Sequence, residues 1–343
     1  MAVLNRRRRR RQKQKSTLSR GLVDRQNPLE FMEPEELFMR FRFRAESILF
    51  IVSLVCEKLE RRSNRSSPLP VLTQVLVALR FLATGSFYSL IADSYSIIST
   101  SSVFRSVRDV CSCLIEHLRH FVCMPTGQDA DKIKKMFFQI AGFPNVLGCL
   151  DGTFIRIIAP SRNEVDYLNR KGFHSLNVQM ICDANYKFSN CVVKWPGSVH
   201  DSRIFRDSKI SVAFENGTYK GFLLGDSGYP CKSYLMTPFL TTSCRAEERY
   251  NRSHCRTRVL VEQSFGILKR RFSCLHSGLR TTPQNACKII TACVILHNIG
   301  IDRKDIINVD HDDIDTNNNV IVHVADEWTG SNVRKNLCQQ FFS

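Results

Sequence analysis

Between Val146 and Asp226 the chain sets short apolar runs in series, and two of them stop on an aspartate followed by a glycine-containing turn: VLGCLDGTFIRIIA and FLLGDSGYP. Apolar runs of this length, rich in Val, Ile, Leu and Phe and bounded by turn residues, read as buried strands. Such a strand can end in a turn without a carboxylate at its tip, so Asp151 and Asp226 need a reason to stand there. Two further strands are expected at LNVQMICDA and CVVKWP, joined by a hairpin turn over Asp183–Tyr186. A helix is expected over 201–215, a long one over roughly 255–272, and another through TTPQNACKIITACVILHNIG. Three strands, a helix, a fourth strand and closing helices specify an α/β domain over 132–301, a mixed sheet flanked by helices.

Upstream the texture is helical. Phe38, Phe41, Ile48, Val52 and Val55 recur at helix-like spacing within 28–65, and VLTQVLVALRFLAT (71–84) is a strongly apolar helix that Gly85 interrupts. A short helix at Tyr88–Ala92, a turn at Asp93–Ser99 and a longer helix over Thr100–Phe121 follow. This resembles a helix-turn-helix, so 28–124 is expected to be an all-α, helix-turn-helix-like domain. Ser101, Ser102, Arg105 and Arg108 would then face the major groove of DNA. Helical bundles that never touch DNA share the same pattern. Pro125–Asp131 reads as a linker. After the α/β domain, 302–343 begins as an acidic, Asn-rich loop and returns as a last element over 320–342.

The net charge is +17. Residues 6–15, RRRRRRQKQK, can bury nothing, so 1–27 is expected to be a basic disordered arm. It suits nuclear import or non-specific phosphate contact, with a solvated tail as the bland alternative. The chain stays positive without the arm, and a basic surface favours polyanions through counterion release. No run reaches the ~18 apolar residues of a membrane span, and no apolar core follows the N-terminal charges, so neither a membrane partner nor secretion is expected. Fourteen cysteines scattered through apolar segments, without a C-x-x-C, fit reduced thiols better than disulfides or a structural zinc. G-x-S-x-G, P-loop, G-x-G-x-x-G and H-E-x-x-H motifs are all absent, which argues against a serine hydrolase, a nucleotide-binding enzyme and a zincin.

Asp201, in WPGSVHDSR, follows the third strand and also suits the N-cap of the next helix. Glu262 lies in RVLVEQSFGILKRRF beside an apolar stripe of Val261, Phe265, Leu268 and Phe272, with Arg258 four residues before it. The plain reading is an exposed Arg258–Glu262 pair; the functional one is a carboxylate at the rim of a cleft. Gly266 costs a helix about 1 kcal/mol relative to alanine, which suggests close approach of something. Aspartates from two strands and a glutamate from a helix can hold hard divalent cations and match the arrangement of an RNase H-like two-metal site.

Six segments appear in order over about 142–300: GFPNVLGCLDGT, NRKGFHSLNVQMICD, WPGSVHDSRIF, LLGDSGYP, TRVLVEQSFGILKRRF and ILHNI. On these the chain resembles the PIF/Harbinger DDE transposases and their domesticated nuclease relatives. The resemblance implies an RNase H-like catalytic domain acting as a metal-dependent DNA endonuclease, with or without strand transfer. It implies Asp151, Asp226 and Glu262 as catalytic metal ligands, with Asp201 as an additional ligand or a supporting group. Mg²⁺ or Mn²⁺ would lower the pKa of an attacking water or 3′-hydroxyl and stabilise the leaving oxygen. Arg170, Lys171, Arg256 and Arg258 are candidate phosphate contacts, whereas Trp195 and Phe173 read as core. Family transposases often carry histidine where this chain has Phe154. The implied partners are DNA, a Myb/SANT-like DNA-binding protein and further copies of the chain, in the nucleus with the cytoplasm as a second location. The alternative is a catalytically silent relative that binds DNA or that protein partner.

Overall fold

The computed structural model describes residues 28–60, 68–95, 98–307 and 324–343; the basic arm and most of the acidic stretch lie outside the described residues. Contacts divide the chain into two compact units, Met1–Cys113 and Leu114–Ser343.

In the first unit, α1 (Pro34–Phe41), α2 (Ala45–Leu59), α3 (Val71–Thr84) and α4 (Tyr88–Ser94) precede α5 (Thr100–Glu116), within which the division falls. The continuous helix expected from residue 28 is broken because Arg42 takes a left-handed conformation (φ 66°) and closes α1 on the Phe38 carbonyl. Gly85 closes α3 in the same way at φ 66°, a conformation glycine adopts without strain. Helix α3 is buried from Gln74 to Leu79 and again from Phe81 to Ala83, which is why its sequence is apolar all round. The Tyr88 ring meets Phe81 at 4.9 Å and Phe104 at 5.9 Å, so α3, α4 and α5 share one aromatic contact. Arg105 and Arg108 lie exposed on α5, and Arg108 pairs with Asp109 at 2.8 Å.

The second unit takes in the end of α5 and a short helical turn at Leu118–Phe121 before α6 (Gly127–Ala141). Residues 127–131, expected to be linker, form its first turn: buried Ala130, Ile133 and Phe137 already follow helical spacing there, behind a glycine that masks it. Then come β1 (Val146–Arg156), β2 (Ser175–Cys182), β3 (Phe188–Pro196), α7 (Asp201–Arg206), α8 (Lys209–Glu215), β4 (Phe222–Leu224), β5 (Leu235–Met236), α9 (Arg245–Arg271), α10 (Pro283–Asp302) and α11 (Trp328–Phe341). The sheet order is β3-β2-β1-β4-β5, with β1–β2 and β2–β3 antiparallel and β1–β4 and β4–β5 parallel. This is the mixed α/β sheet the sequence leads one to expect. The expected helix over 201–215 is two helices, because the Ser208 hydroxyl caps α8 by accepting from the Ser211 N–H at 3.2 Å. The two-residue β5 was not anticipated, and α9 starts at Arg245 rather than near 255.

Helices α7 and α8 cover one face of the sheet, where Leu150, Ile181, Phe205, Phe214 and Leu223 share a core. Helices α9 and α10 cover the other, where the Phe188 ring lies 6.0 Å from Phe265 and 4.9 Å from His297. With both faces covered, β2 is buried along its whole length. All fourteen cysteines are free. Among the described residues, no helix is long and apolar enough to cross a membrane.

Candidate active site

Parallel strands keep their residues in step, and here Cys149 pairs with Leu224. Two residues further along each strand stand Asp151 and Asp226, so the register itself brings these carboxylates level. β4 has ended by then. One Asp226 oxygen accepts the Gly228 N–H at 3.0 Å, so the turn role read from the sequence is genuine and occupies only part of the side chain.

Helix α9 packs against β1 and brings Glu262 and Arg258 to the same place. The Arg258 guanidinium donates to Asp151 Oδ2 at 2.9 Å and, one turn along the helix, to Glu262 Oε1. The side chains of Arg258, Asp151 and Glu262 are only 21%, 16% and 29% exposed. The pair expected on the open surface is therefore partly buried and extends to a third residue from another element. Burial pushes the Asp151 carboxyl up to about 7; Arg258 works against this, while Asp226 and Asp201 add to it. Burial also disfavours charge on Arg258, yet Asp151 and Glu262 hold it above its ordinary value.

Asp201 is not the N-cap of α7. His200 takes that position, and Asp201 is the first helical residue, its carboxylate accepting from Asn177 Nδ2 at 2.7 Å. It lies directly over Gly152, where a methyl group would overlap it. Alternation along β1 turns Asp151 toward α9 and the Gly152 backbone toward α7, so Asp201 approaches the strand from the opposite face. Burial raises its carboxyl, Asp226 adds to that, and the Asn177 hydrogen bond and Arg170 oppose it. Gln179 Nε2 donates to the Asp201 backbone carbonyl and to the buried Tyr229 hydroxyl, each at 2.9 Å. Sequence reasoning missed Asn177, Gln179, Tyr229 and Gly152. Two amides at alternate positions of the otherwise apolar LNVQMIC were the available signal.

The remaining candidates are scattered around this centre. Arg170 and Lys171 are exposed between β1 and β2, with Arg170 over the Phe154 ring at 5.9 Å. Phe154 meets Phe173 edge-on at 6.5 Å, and Arg156 stacks over Phe173 at 4.4 Å, so neither ring is sealed in the core. Trp195 is likewise half-buried, with Lys194 and Arg203 over its ring at 5.3 and 5.8 Å. Arg256 is exposed on α9. Gly266 faces open space, so nothing in the described chain makes the close approach expected of it.

Among the described residues no three His, Cys, Asp or Glu side chains stand in a metal-holding arrangement. A guanidinium, the stand-in cation here, neutralises Asp151 and Glu262 instead. The donor set is all oxygen and anionic, which fits Mg²⁺ or Mn²⁺ and not a soft metal.

Gly152→Ala tests how Asp201 is held: the added methyl would overlap the carboxylate and push it off Asn177, so the melting temperature should fall in Gly152→Ala and less in Asp201→Asn, which keeps the group's size. An unchanged melting temperature in Gly152→Ala would mean that the Asp201 side chain is not fixed over the strand.

A DDE superfamily endonuclease model matches residues 150–298, a span that holds all four carboxylates. Human "Putative nuclease HARBI1" is 36% identical over 279 residues, 80% of each chain, and its Xenopus laevis counterpart is 32% identical over 278 residues with the same coverage. The Arabidopsis thaliana protein named antagonist of like heterochromatin protein 1 is 26% identical over 301 residues, 80% of this chain and 76% of its own. No solved structure gives a significant match. Identity of this level across most of both chains, on an α/β sheet in the expected order, means that the chain belongs to the Harbinger transposase-derived DDE superfamily endonucleases and carries their RNase H-like fold.

Proposed function

We propose that the chain is a divalent-metal-dependent DNA endonuclease of transposase origin, with Asp151, Asp226 and Glu262 as its metal ligands. The observation that carries this reading is the gathering of three carboxylates from β1, the end of β4 and α9 around one partly buried guanidinium. A bound Mg²⁺ or Mn²⁺ would activate the attacking water and stabilise the leaving oxygen. Asp151 and Glu262 supply oxygen ligands from rigid elements, and Asp226 supplies one from a turn that leaves part of its carboxylate available. Asn177 and Gln179 fix Asp201 from the opposite face of β1, a position that suits a supporting group or an additional ligand. Exposed Arg170, Lys171 and Arg256 suit phosphate contacts, and Arg105 and Arg108 on α5 suit DNA contact by the helical unit. Arg258 is committed to the carboxylates and is left out of that set. A Myb/SANT-like DNA-binding partner, homo-oligomerisation and a nuclear location, with the cytoplasm second, belong to the same reading and rest on the resemblance and, for location, on the six-arginine run.

The test incubates supercoiled plasmid with the full chain and with Asp226→Asn, in Mg²⁺ or Mn²⁺, with EDTA as control. Metal-dependent nicking should fall by at least about a hundredfold in the variant, a few kcal/mol of transition-state stabilisation. A second reading, a DNA- or partner-binding relic, is favoured by one observation: Asp151 and Glu262 pair with Arg258 rather than converge on a cation position. Absence of cleavage by either protein, with equal salt-sensitive DNA binding by both, decides for the relic once the assay has been repeated with a Myb-like partner present.

A further inference from the structure

Arg258 is held unusually for a residue on a helix surface. Its two terminal nitrogens reach two carboxylates on different elements, Asp151 on β1 and Glu262 on α9, and Asp226 adds a third favourable charge. The other Asp151 oxygen already accepts the Gly152 N–H at 2.8 Å. Each Asp151 oxygen therefore carries one hydrogen bond, and a divalent cation that approaches Oδ2 and Glu262 together meets the like charge of Arg258 already placed between them. Without a positive charge among them, partly buried Asp151, Glu262 and Asp226 would repel one another in a medium that screens poorly. A guanidinium is permanently protonated, so the exchange is between two cations and involves no proton.

We infer that Arg258 is the built-in counter-cation of this site: it holds Asp151 and Glu262 in place while no metal is bound and releases them when a divalent cation enters. Arg258 is on this view a positioning residue that sets how tightly the site takes metal. The inference rests on the reading of these carboxylates as metal ligands. A plain structural pin between α9 and β1 would behave differently, because it would strengthen the metal-free and metal-loaded proteins equally.

The experiment uses the full chain, its Arg258→Gln and Arg258→Lys variants and Asp226→Asn, with Mn²⁺ alone as the probe and no DNA. Mn²⁺ affinity is measured by titration calorimetry, and melting temperature is measured in EDTA and in saturating Mn²⁺. Arg258→Gln should bind Mn²⁺ about tenfold more tightly, since one charge-assisted competitor has gone. Its melting temperature in EDTA should drop, and Mn²⁺ should raise it by more than it raises the wild type, with Arg258→Lys between the two. Equal losses of melting temperature in EDTA and Mn²⁺ with unchanged affinity, or weaker Mn²⁺ binding, would overturn the inference. If Arg258→Gln does not fold, Arg258→Lys decides by the same measures. A wild-type Mn²⁺ effect that vanishes in Asp226→Asn but is unaltered by either Arg258 substitution sinks this inference and leaves the metal site standing. A wild-type chain without any Mn²⁺ effect, or with one that survives in Asp226→Asn, sinks both.

Discussion

Asp151→Asn should produce the largest loss of activity of any single substitution in the chain, at least about a thousandfold in metal-dependent nicking, equivalent to roughly 4 kcal/mol of lost transition-state stabilisation. Asp151 stands at the meeting point of the site: Arg258 bonds it and links it to Glu262, while Asp226 and Asp201 both raise its carboxyl. An amide there offers a metal one neutral oxygen in place of a charged pair and leaves Arg258 half-compensated. The same substitution carries a signature in the metal-free protein. With its folded value at about 7 and the ordinary value at 3.8, Asp151 holds a proton in the folded state that it loses in the unfolded chain between those limits. The sign follows: metal-free stability falls as pH rises through that window. Because other groups titrate over the same range, the informative quantity in denaturant melts in EDTA at pH 5 and pH 8 is the difference between Asp151→Asn and its parent: as pH rises the variant should lose less stability, or gain more, than the wild type. Retained nicking in Asp151→Asn would refute its role as a ligand.

The sequence carried the strands as apolar runs, but the turn expected after Asp151 is absent: β1 continues through Asp151 and Gly152 to Arg156, paired with β2, whereas β4 does end before Asp226. Asp151 and Asp226 stood out because each is a charge at the end of an apolar run. Their partnership did not follow from local pattern alone: it depends on a parallel register between strands separated by a hairpin and two helices. Arg258 shows the limit most clearly. Helical spacing revealed its bond to Glu262, but nothing near it in the chain points to Asp151, so an internal counter-charge looked like a surface pair. The two-residue β5 buries too little to leave a periodic signal. The first half of α9, RAEERYNRSH, contributes only Tyr250, Ser253 and His254 to the interior and so read as loop. Gly266 and Gly152 illustrate opposite errors. The first drew notice as a helix glycine and faces open space, while the second passed as a turn residue and is the one an aspartate lies upon.

Acidification should destabilise the α/β unit through two buried histidines, and His297 should account for about half of their effect. His297 is fully buried against Phe188, donates Nε2–H to the Tyr186 carbonyl at 2.8 Å, and has its Nδ1 buried without a partner among the described residues. A second proton there would be placed in an apolar setting, so burial lowers the ring from 6.5 to about 3, with Arg271 adding to the shift. His254 is held in the same neutral form by burial, at about 4, and donates to the Met236 carbonyl at 3.0 Å, which ties α9 to β5. Both folded values lie below the unfolded one, so the stability these neutral rings contribute is complete above about pH 6.5 and is lost as pH falls toward 3–4. At about 1.4 kcal/mol per unit, each histidine should withdraw roughly 2 kcal/mol between pH 8 and pH 5. Asp151, and with it Asp201 and Asp183, whose carboxyls are also raised, changes in the opposite direction over part of that range and would mask the effect in the whole protein. The informative quantity is the difference between His297→Gln and its parent, both in EDTA. Glutamine keeps a polar donor near Tyr186 and cannot be protonated, so the variant should be less stable at pH 8 and should lose roughly 2 kcal/mol less than its parent on going to pH 5. Parallel pH curves for the two proteins would mean that His297 titrates normally and that the packing around Phe188 admits solvent.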